Sequence, residues 1–131
     1  MHIEEDAGKT IHKPDRRLLD FNRCGVPLVE MVTGPDLRSA QEAADFIRYL
    51  RKLVRWIGVS EADMEKGQMR FDANVSIREK GAEVLNPKTE IKNMNSIDGG
   101  REAIEAEIKR QTNHLFQSQI DRRQLWFQIF A

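Results

Sequence analysis

The chain has 131 residues, enough for one domain with a real core, and its 40% apolar and 32% charged content suits a folded protein rather than a disordered one. Lysine plus arginine total 21 and aspartate plus glutamate total 21, which excludes bulk attraction to nucleic acid but not a local basic patch. The single cysteine, Cys24, excludes an internal disulfide and a cysteine zinc site, and no apolar run reaches membrane-spanning length.

The N-terminal stretch "MHIEEDAGK" is acidic and lacks the apolar region of a signal peptide, so the expectation is a soluble, intracellular protein. It begins inside a charge cluster, and the chain closes on the bulky "RRQLWFQIFA". Both ends read as cut, which suggests a piece of something larger. Residues 1–38 hold short extended runs broken by Gly8, Pro14, Gly25, Pro27 and the "TGPD" turn. Within them "VPLVEMV" reads as a buried strand with one carboxylate, Glu30, inserted into it. A buried carboxylate costs several kcal/mol unless paired or metal-bound, so Glu30 is either half of an ion pair or a functional group.

The clearest helix comes next. Ser39 and Glu42 form a capping box, Ala43, Phe46, Ile47, Leu50, Leu53, Val54 and Ile57 repeat at helical steps, and Gly58 stops the helix. Arg48, Arg51, Lys52 and Arg55 fall on its outer side. A solvated face accounts for them, with an RNA-facing stripe as the rival reading. Trp56 and Trp126 read as core or interface residues.

After an acidic loop, "MRFDANVSIR" alternates strictly. Phe71, Ala73, Val75 and Ile77 line one face, and Asp72, Asn74, Ser76 and Arg78 the other. A second run, "KTEIKNMNS", puts Lys88, Glu90 and Lys92 on one face and Thr89, Ile91, Asn93 and Asn95 on the other. The two runs are expected to pair as an antiparallel hairpin. Ser96 then caps a helix over 97–114 with Ile97, Ile104 and Ile108 inward, and Gly99–Gly100 either weakens its first turn or admits a close neighbour. The fold expected is α+β, a mainly antiparallel sheet with flanking helices.

Chemistry gathers in three clusters: Glu4, Glu5, Asp6 and Lys9; Asp72 with Asn74; and Lys88, Glu90, Lys92, Asn93 and Asn95. Carboxylates and amides without cysteine or paired histidine suit a hard divalent cation such as magnesium, and neighbouring lysines would balance phosphate charge. "DAGK" lacks the frame of a phosphate loop, and there is no nucleophile elbow, paired-histidine zinc motif or dinucleotide fingerprint. His2, His12 and His114 stand apart, with His2 alone near an acidic cluster.

Four stretches, "HIEEDAGK", "LLDFNRCGVPLVEMVTGPDLRS", "EKGQMRFDANVSIR" and "KTEIKNMNS", occur in order. Together they closely resemble the B subunit of aspartyl/glutamyl-tRNA amidotransferase, including its archaeal glutamyl-tRNA-specific relative. The resemblance covers about residues 2–111. It implies a partial catalytic cradle domain over 1–111, with 112–131 a divergent or truncated tail. It also implies an ATP- and Mg2+-dependent ligase that phosphorylates the side-chain carboxylate of Glu-tRNA(Gln) or Asp-tRNA(Asn), after which ammonia displaces phosphate. The implied partners are an amidase-type A subunit and a small C subunit in a heterotrimer, with misacylated tRNA and no membrane. The implied place is the prokaryotic cytoplasm or an organelle.

By motif, Glu5, Glu30, Asp72 and Glu90 would serve the metal, Asn74 and Asn95 the nucleotide, and Lys9, Lys88, Lys92 and Asn93 the phosphate and substrate. The family's cradle starts upstream with a strand carrying further acidic and histidine residues, so this chain is expected to be inactive alone. The rival function is an RNA-binding or assembly module that keeps the fold without catalysis. Another class of ATP-dependent carboxylate–amine ligase is disfavoured, because no nucleotide loop of that class is visible.

Overall fold

The computed structural model describes residues 1–78, 82–84, 86–114 and the backbone of 122–130. Four short strands come first: β1 (His2–Glu5), β2 (Lys9–His12), β3 (Arg17–Asp20) and β4 (Pro27–Val32). Helix α1 (Ala40–Trp56) leads to β5 (Arg70–Arg78) and β6 (Thr89–Met94), followed by α2 (Ile97–His114) and β7 (Arg122–Phe130). One five-stranded sheet runs in the order β1-β4-β7-β5-β6, and β2 pairs with β3 apart from it. Every pairing is antiparallel, as the α+β reading expects.

Alternation on β5 decides how the sheet packs. Phe71, Ala73, Val75 and Ile77 are buried toward the helices, where they meet Ile47, Leu50 and Val54 of α1 and Ile104 and Ile108 of α2. Directly opposed residues share a face, so Met31 and Ile91, which pack against this core, extend it onto β4 and β6. β5 is the strand flanked on both sides, by β6 and by β7. Its polar members Asp72, Asn74 and Ser76 are buried as well.

α1 begins where expected but is capped differently. The Ser39 hydroxyl accepts the Glu42 N–H at 3.1 Å, whereas the Glu42 carboxylate takes the Arg38 N–H at 2.7 Å instead of reaching Ser39. The inward stripe is Ala40, Ala43, Ala44, Ile47, Leu50 and Val54. Leu53 and Ile57, expected inside, are exposed because they lie on the shoulder of that stripe, beside Tyr49. Trp56 is 85% exposed, so it is not a core residue. Two of the four outward cations are engaged within the molecule: Arg48 bridges Asp45 and Asp98 at 2.9 and 2.7 Å, and Arg51 donates to the Ala62 carbonyl at 3.0 Å. Their work is to hold α1 against the start of α2 and the loop after the helix.

Two glycines have specific tasks. Gly58 takes φ +75° behind α1, the left-handed position that ends helices. Gly100 in α2 sits so close to the sheet that a Cβ there would come within 2.5 Å of the Phe71 ring and 3.2 Å of the Met94 sulfur. The glycine pair thus admits a close neighbour, and that neighbour is β5.

Candidate functional site

The hairpin expected from the two alternating runs forms, with Ala73 opposite Ile91, Asn74 opposite Glu90 and Val75 opposite Thr89. Its register then shifts. Phe71 faces Met94, so Lys92 and Asn93 together stand against Asp72 alone. This is a β-bulge, one extra residue in β6 that bends the strand and re-aims the side chains beyond it. Asn93 adopts φ +59° there, a left-handed conformation that asparagine tolerates better than most residues. Its freed N–H is taken by the Asp72 carboxylate at 2.9 Å. The expectation that Asn93 and Asn95 share the face of Ile91 fails for this reason: the bulge puts Met94 in the core position, and Asn93 and Asn95 are exposed.

The face of the sheet without helices carries Asp72, Asn74 and Ser76 from β5 and Glu90 from β6. Lys92 reaches back to Glu90 at 3.3 Å. Ser76 donates to the Asn86 carbonyl at 2.7 Å, and the Asn74 side chain is 3% exposed. Among the described residues, Asn74 Oδ1 is a buried acceptor without a hydrogen-bond partner. Such an atom is costly to bury unsatisfied.

Register carries the same face across the sheet. Arg70 opposes Phe130, Phe130 opposes Glu30, and Glu30 opposes His2, so Arg70, Glu30 and His2 lie in one row on the helix-free side. Glu30 is buried as expected. Strands lie about 4.8 Å apart, so Glu30 and Glu90, three strand steps apart, are separated by at least about 14 Å sideways. They cannot ligate one ion. Among the described residues, no group of three or more His, Cys, Asp or Glu side chains comes together as a ligand set.

The remaining nominated residues fall elsewhere. Glu5 opposes Pro27, one step out of phase with Glu30, and so lies on the other face of β1. Lys9 opposes Asp20 at the base of the β2–β3 hairpin and lines a cleft of about 690 Å³ with Asp6, Arg23 and Arg70. There Arg23 pairs with Asp6 at 3.0 Å and donates to the Gly67 carbonyl at 3.2 Å. Lys88 lies just before β6. Trp126 belongs to the stretch described by backbone alone, where register sets it opposite Asn74.

Of the charged residues on the polar face, Arg70 and Glu4 had no site role assigned from sequence, although Glu4 stood in the first acidic cluster. Arg70 was readable, since it continues the Asp72–Asn74 alternation by one step. Glu4 shares its face of β1 with His2, but only the register tells it from its neighbour Glu5. On the opposite side of the sheet, Arg110 holds Glu107 at 2.7 Å. That guanidinium, helped by Gln111 and Thr89, brings the Glu107 carboxyl down to about 2. Gln111 also donates to the Val75 carbonyl at 3.0 Å, which ties α2 to β5 beneath the polar face. No described helix is long and apolar enough to cross a membrane.

Comparison with known proteins gives one consistent answer. A family model described as the GatB/GatE catalytic domain matches residues 1–126. The chain is 54% identical over 115 residues to the B subunit of the aspartyl/glutamyl-tRNA(Asn/Gln) amidotransferase of Persephonella marina, covering 88% of this chain and 24% of that protein. It is 50% identical over 114 residues to the protein of the same name in Elusimicrobium minutum, covering 87% and 24%. With that of Chlorobium phaeobacteroides it shares 53% over 111 residues, covering 84% and 23%. The chain spans about a quarter of the length of the curated relatives it matches.

Proposed function

The chain belongs to the GatB/GatE catalytic-domain family, and on that premise we propose that it forms part of the domain that activates the side-chain carboxylate of Glu-tRNA(Gln) or Asp-tRNA(Asn) for conversion to the amide. The full reaction consumes ATP with magnesium. It uses ammonia from an amidase-type A subunit, with a small C subunit completing a cytoplasmic or organellar heterotrimer. The observation that carries this reading is that Asp72, Asn74 and Glu90 stand together, with Glu30 further across the same face, on the side of the sheet that bears no helix.

The donor chemistry fits magnesium, which takes oxygen ligands and commonly keeps one or two carboxylates, the rest being water and phosphate oxygens. The absence of a three-ligand cage among the described residues is compatible with that habit. When bound, magnesium and ATP supply charge neutralisation and the phosphoryl group. Asp72 and Glu90 are the carboxylates proposed to serve the metal; Glu30, too far from Glu90 to share that ion, is proposed to meet substrate on the same face, and on β1 it is Glu4 rather than Glu5 that shares this face. Lys92, 3.3 Å from Glu90, and its sequence neighbours Lys88 and Asn93 are proposed to meet phosphate and substrate, with Lys9 approaching from the cleft. Asn74 and Asn95 are proposed to orient the nucleotide, and the unpartnered Asn74 Oδ1 is the atom best placed to accept a donor from it.

One observation favours a second role in assembly. Tyr49, Leu53, Trp56 and Ile57 form an exposed apolar shoulder along α1, and such shoulders mark contact surfaces.

The test is a chimaera in which residues 1–111 replace the matching stretch of the P. marina protein, assembled with its partner subunits. It is expected to form ADP only when misacylated tRNA is present. Glu30→Gln and Glu90→Gln should each lower that rate by about 10²-fold, the usual cost of removing a preorganised charge contact. A chimaera whose ADP formation ignores both substitutions would sink the site assignment.

A further inference from the structure

Glu30 on β4 and Arg70 on β5 both oppose Phe130, so the two strands run level, with β7 between them. The polar face therefore has two halves: Glu4 and Glu30 on β1 and β4, and Asp72, Asn74 and Glu90 on β5 and β6. Among the described residues the sheet connects these halves through β7. A side chain connects them a second time, at the level of Pro27 and Gly67, three residues before Glu30 and Arg70. Arg23 Nε pairs with the Asp6 carboxylate at 3.0 Å, and its Nη1 donates to the Gly67 carbonyl at 3.2 Å.

Both ends of this joint are held by backbone bonds. On one side the Cys24 N–H donates to the Phe21 carbonyl at 3.0 Å and the Val26 N–H to the Arg23 carbonyl at 3.2 Å. Asp6 ties β1 to that turn, since its N–H donates to the Val26 carbonyl and its carbonyl accepts the Gly25 N–H, each at 2.9 Å. On the other side the Asp63 carboxylate accepts the Glu65 and Lys66 N–H groups at 3.0 and 3.3 Å, and the Gln68 N–H returns to the Asp63 carbonyl at 2.9 Å. Gly67 sits in that loop at φ +66°, where a Cβ would come within 3.1 Å of Arg23 Nη1. Two bonds from one planar guanidinium to acceptors on separate segments fix the spacing between them, which the point charge of a lysine does not. The Arg23 side chain is 53% exposed, and exposed ion pairs add little stability. The consequence of this joint is geometric.

We propose that Arg23 is a positioning residue of the carboxylate-activating site. By fastening Asp6 to Gly67 it sets the distance between the substrate-facing carboxylates of β1 and β4 and the metal- and nucleotide-facing groups of β5 and β6. The inference rests on the activity proposed above. Phosphoryl transfer leaves the protein little covalent chemistry and depends on holding donor and acceptor in line, and a misplacement of about 1 Å can cost about 10²-fold in rate. Asp72, Asn74 and Glu90 share one half of the face, so loosening the joint spares ATP binding and slows the transfer.

The chimaera assembled with its partner subunits tests this. Arg23→Ala and Arg23→Lys should each lower kcat for tRNA-dependent ADP formation by about tenfold to 10²-fold. The KM for ATP should stay within about twofold, and the thermal midpoint should not move. Added methylguanidinium should restore part of the Arg23→Ala rate and leave the parent rate unchanged. A second readout needs no activity. Asn22→Cys and Glu65→Cys, both at exposed positions, carry spin labels in a background with Cys24→Ser and no other cysteine, and pulsed EPR reads the distance across the joint. Each Arg23 variant should broaden that distance distribution. The inference is overturned if kcat survives both substitutions, if the loss falls on the KM for ATP instead, or if the distribution stays as narrow as in the parent. A parent chimaera that forms no ADP counts against the catalytic reading alone, because the distance measurement still decides whether Arg23 holds the two segments.

Discussion

The Asp72 carboxylate accepts the Asn93 backbone N–H at 2.9 Å across the β5–β6 pair, at the point where β6 carries one residue too many. Asp72 therefore holds the bulge as well as belonging to the polar face. Removing it leaves a strand amide without its partner in a half-buried site. Asp72→Ala should lower stability by about 1–3 kcal/mol, and Asp72→Asn, which keeps an acceptor, by clearly less. At the other end of the bond, Asn93→Gly should be near neutral because glycine enters φ +59° freely. Asn93→Ala should cost about 1–2 kcal/mol for the same conformation. Urea titration of the four variants checks the ordering, and an Asp72→Ala protein as stable as the parent would contradict it.

Gly100 supports a second prediction. The ring it faces belongs to Phe71, which is 2% exposed and has nowhere to retreat. Gly100→Ala gains helix propensity but overpacks the α2–β5 contact, and overpacking costs about 1–3 kcal/mol. The net change should be a loss. Gly100→Ala combined with Phe71→Leu should lose less than the sum of the two single variants, because the smaller side chain relieves the clash. Additive losses in thermal unfolding would mean that the two positions do not press on one another.

Glu107 gives stability a definite acid limit. Its carboxyl is held at about 2, against an ordinary value of 4.5, chiefly by Arg110 and then by Gln111 and Thr89. A group whose value is depressed on folding stabilises the fold above its unfolded value, and that contribution fades as pH falls toward the folded one. The α2–sheet tie should therefore be at full strength above about pH 4.5 and weaken steadily toward about pH 2. Glu107→Gln should flatten this part of the stability–pH curve while lowering stability at neutral pH. Equal slopes for parent and variant between those limits would rule Glu107 out as the cause.

Local patterns carried much of this fold. The α1 stripe, its serine cap and glycine stop, the strict alternation of β5, the β5–β6 pairing and the buried Glu30 are all set by neighbours in sequence, where period and turn chemistry speak directly. What stayed illegible depends on partners far along the chain. β7 sits between β4 and β5, but its run of leucine, tryptophan and phenylalanine has no clean period-two pattern, and nothing local announces which strands it joins. The β6 bulge was equally hidden, because the extra residue is defined only against Asp72. For the site, residue types pointed to an oxygen-rich polar face. How far apart Glu30 and Glu90 stand became visible only once β7 and β5 were counted between them.

The register of β1 makes the sharpest statement about the polar face. His2 opposes Glu30 and Glu4 opposes Leu28, so Glu4 lies on the Glu30 side of the sheet while Glu5, opposite Pro27, lies on the other. A one-residue slip would exchange them, since side chains alternate with period two. In the chimaeric protein, Glu4→Gln is then expected to lower tRNA-dependent ADP formation by about tenfold or more, the scale of losing one charge contact to a bound cation or phosphate. Glu5→Gln should leave it within about twofold, because an exposed carboxylate on the far face contributes little there. Measuring both at saturating ATP and magnesium separates a site effect from weakened assembly, and co-purification of the partner subunits reports the latter. A loss confined to Glu5→Gln would reverse the register argument and move the metal-serving carboxylate of β1 to the helix side of the sheet.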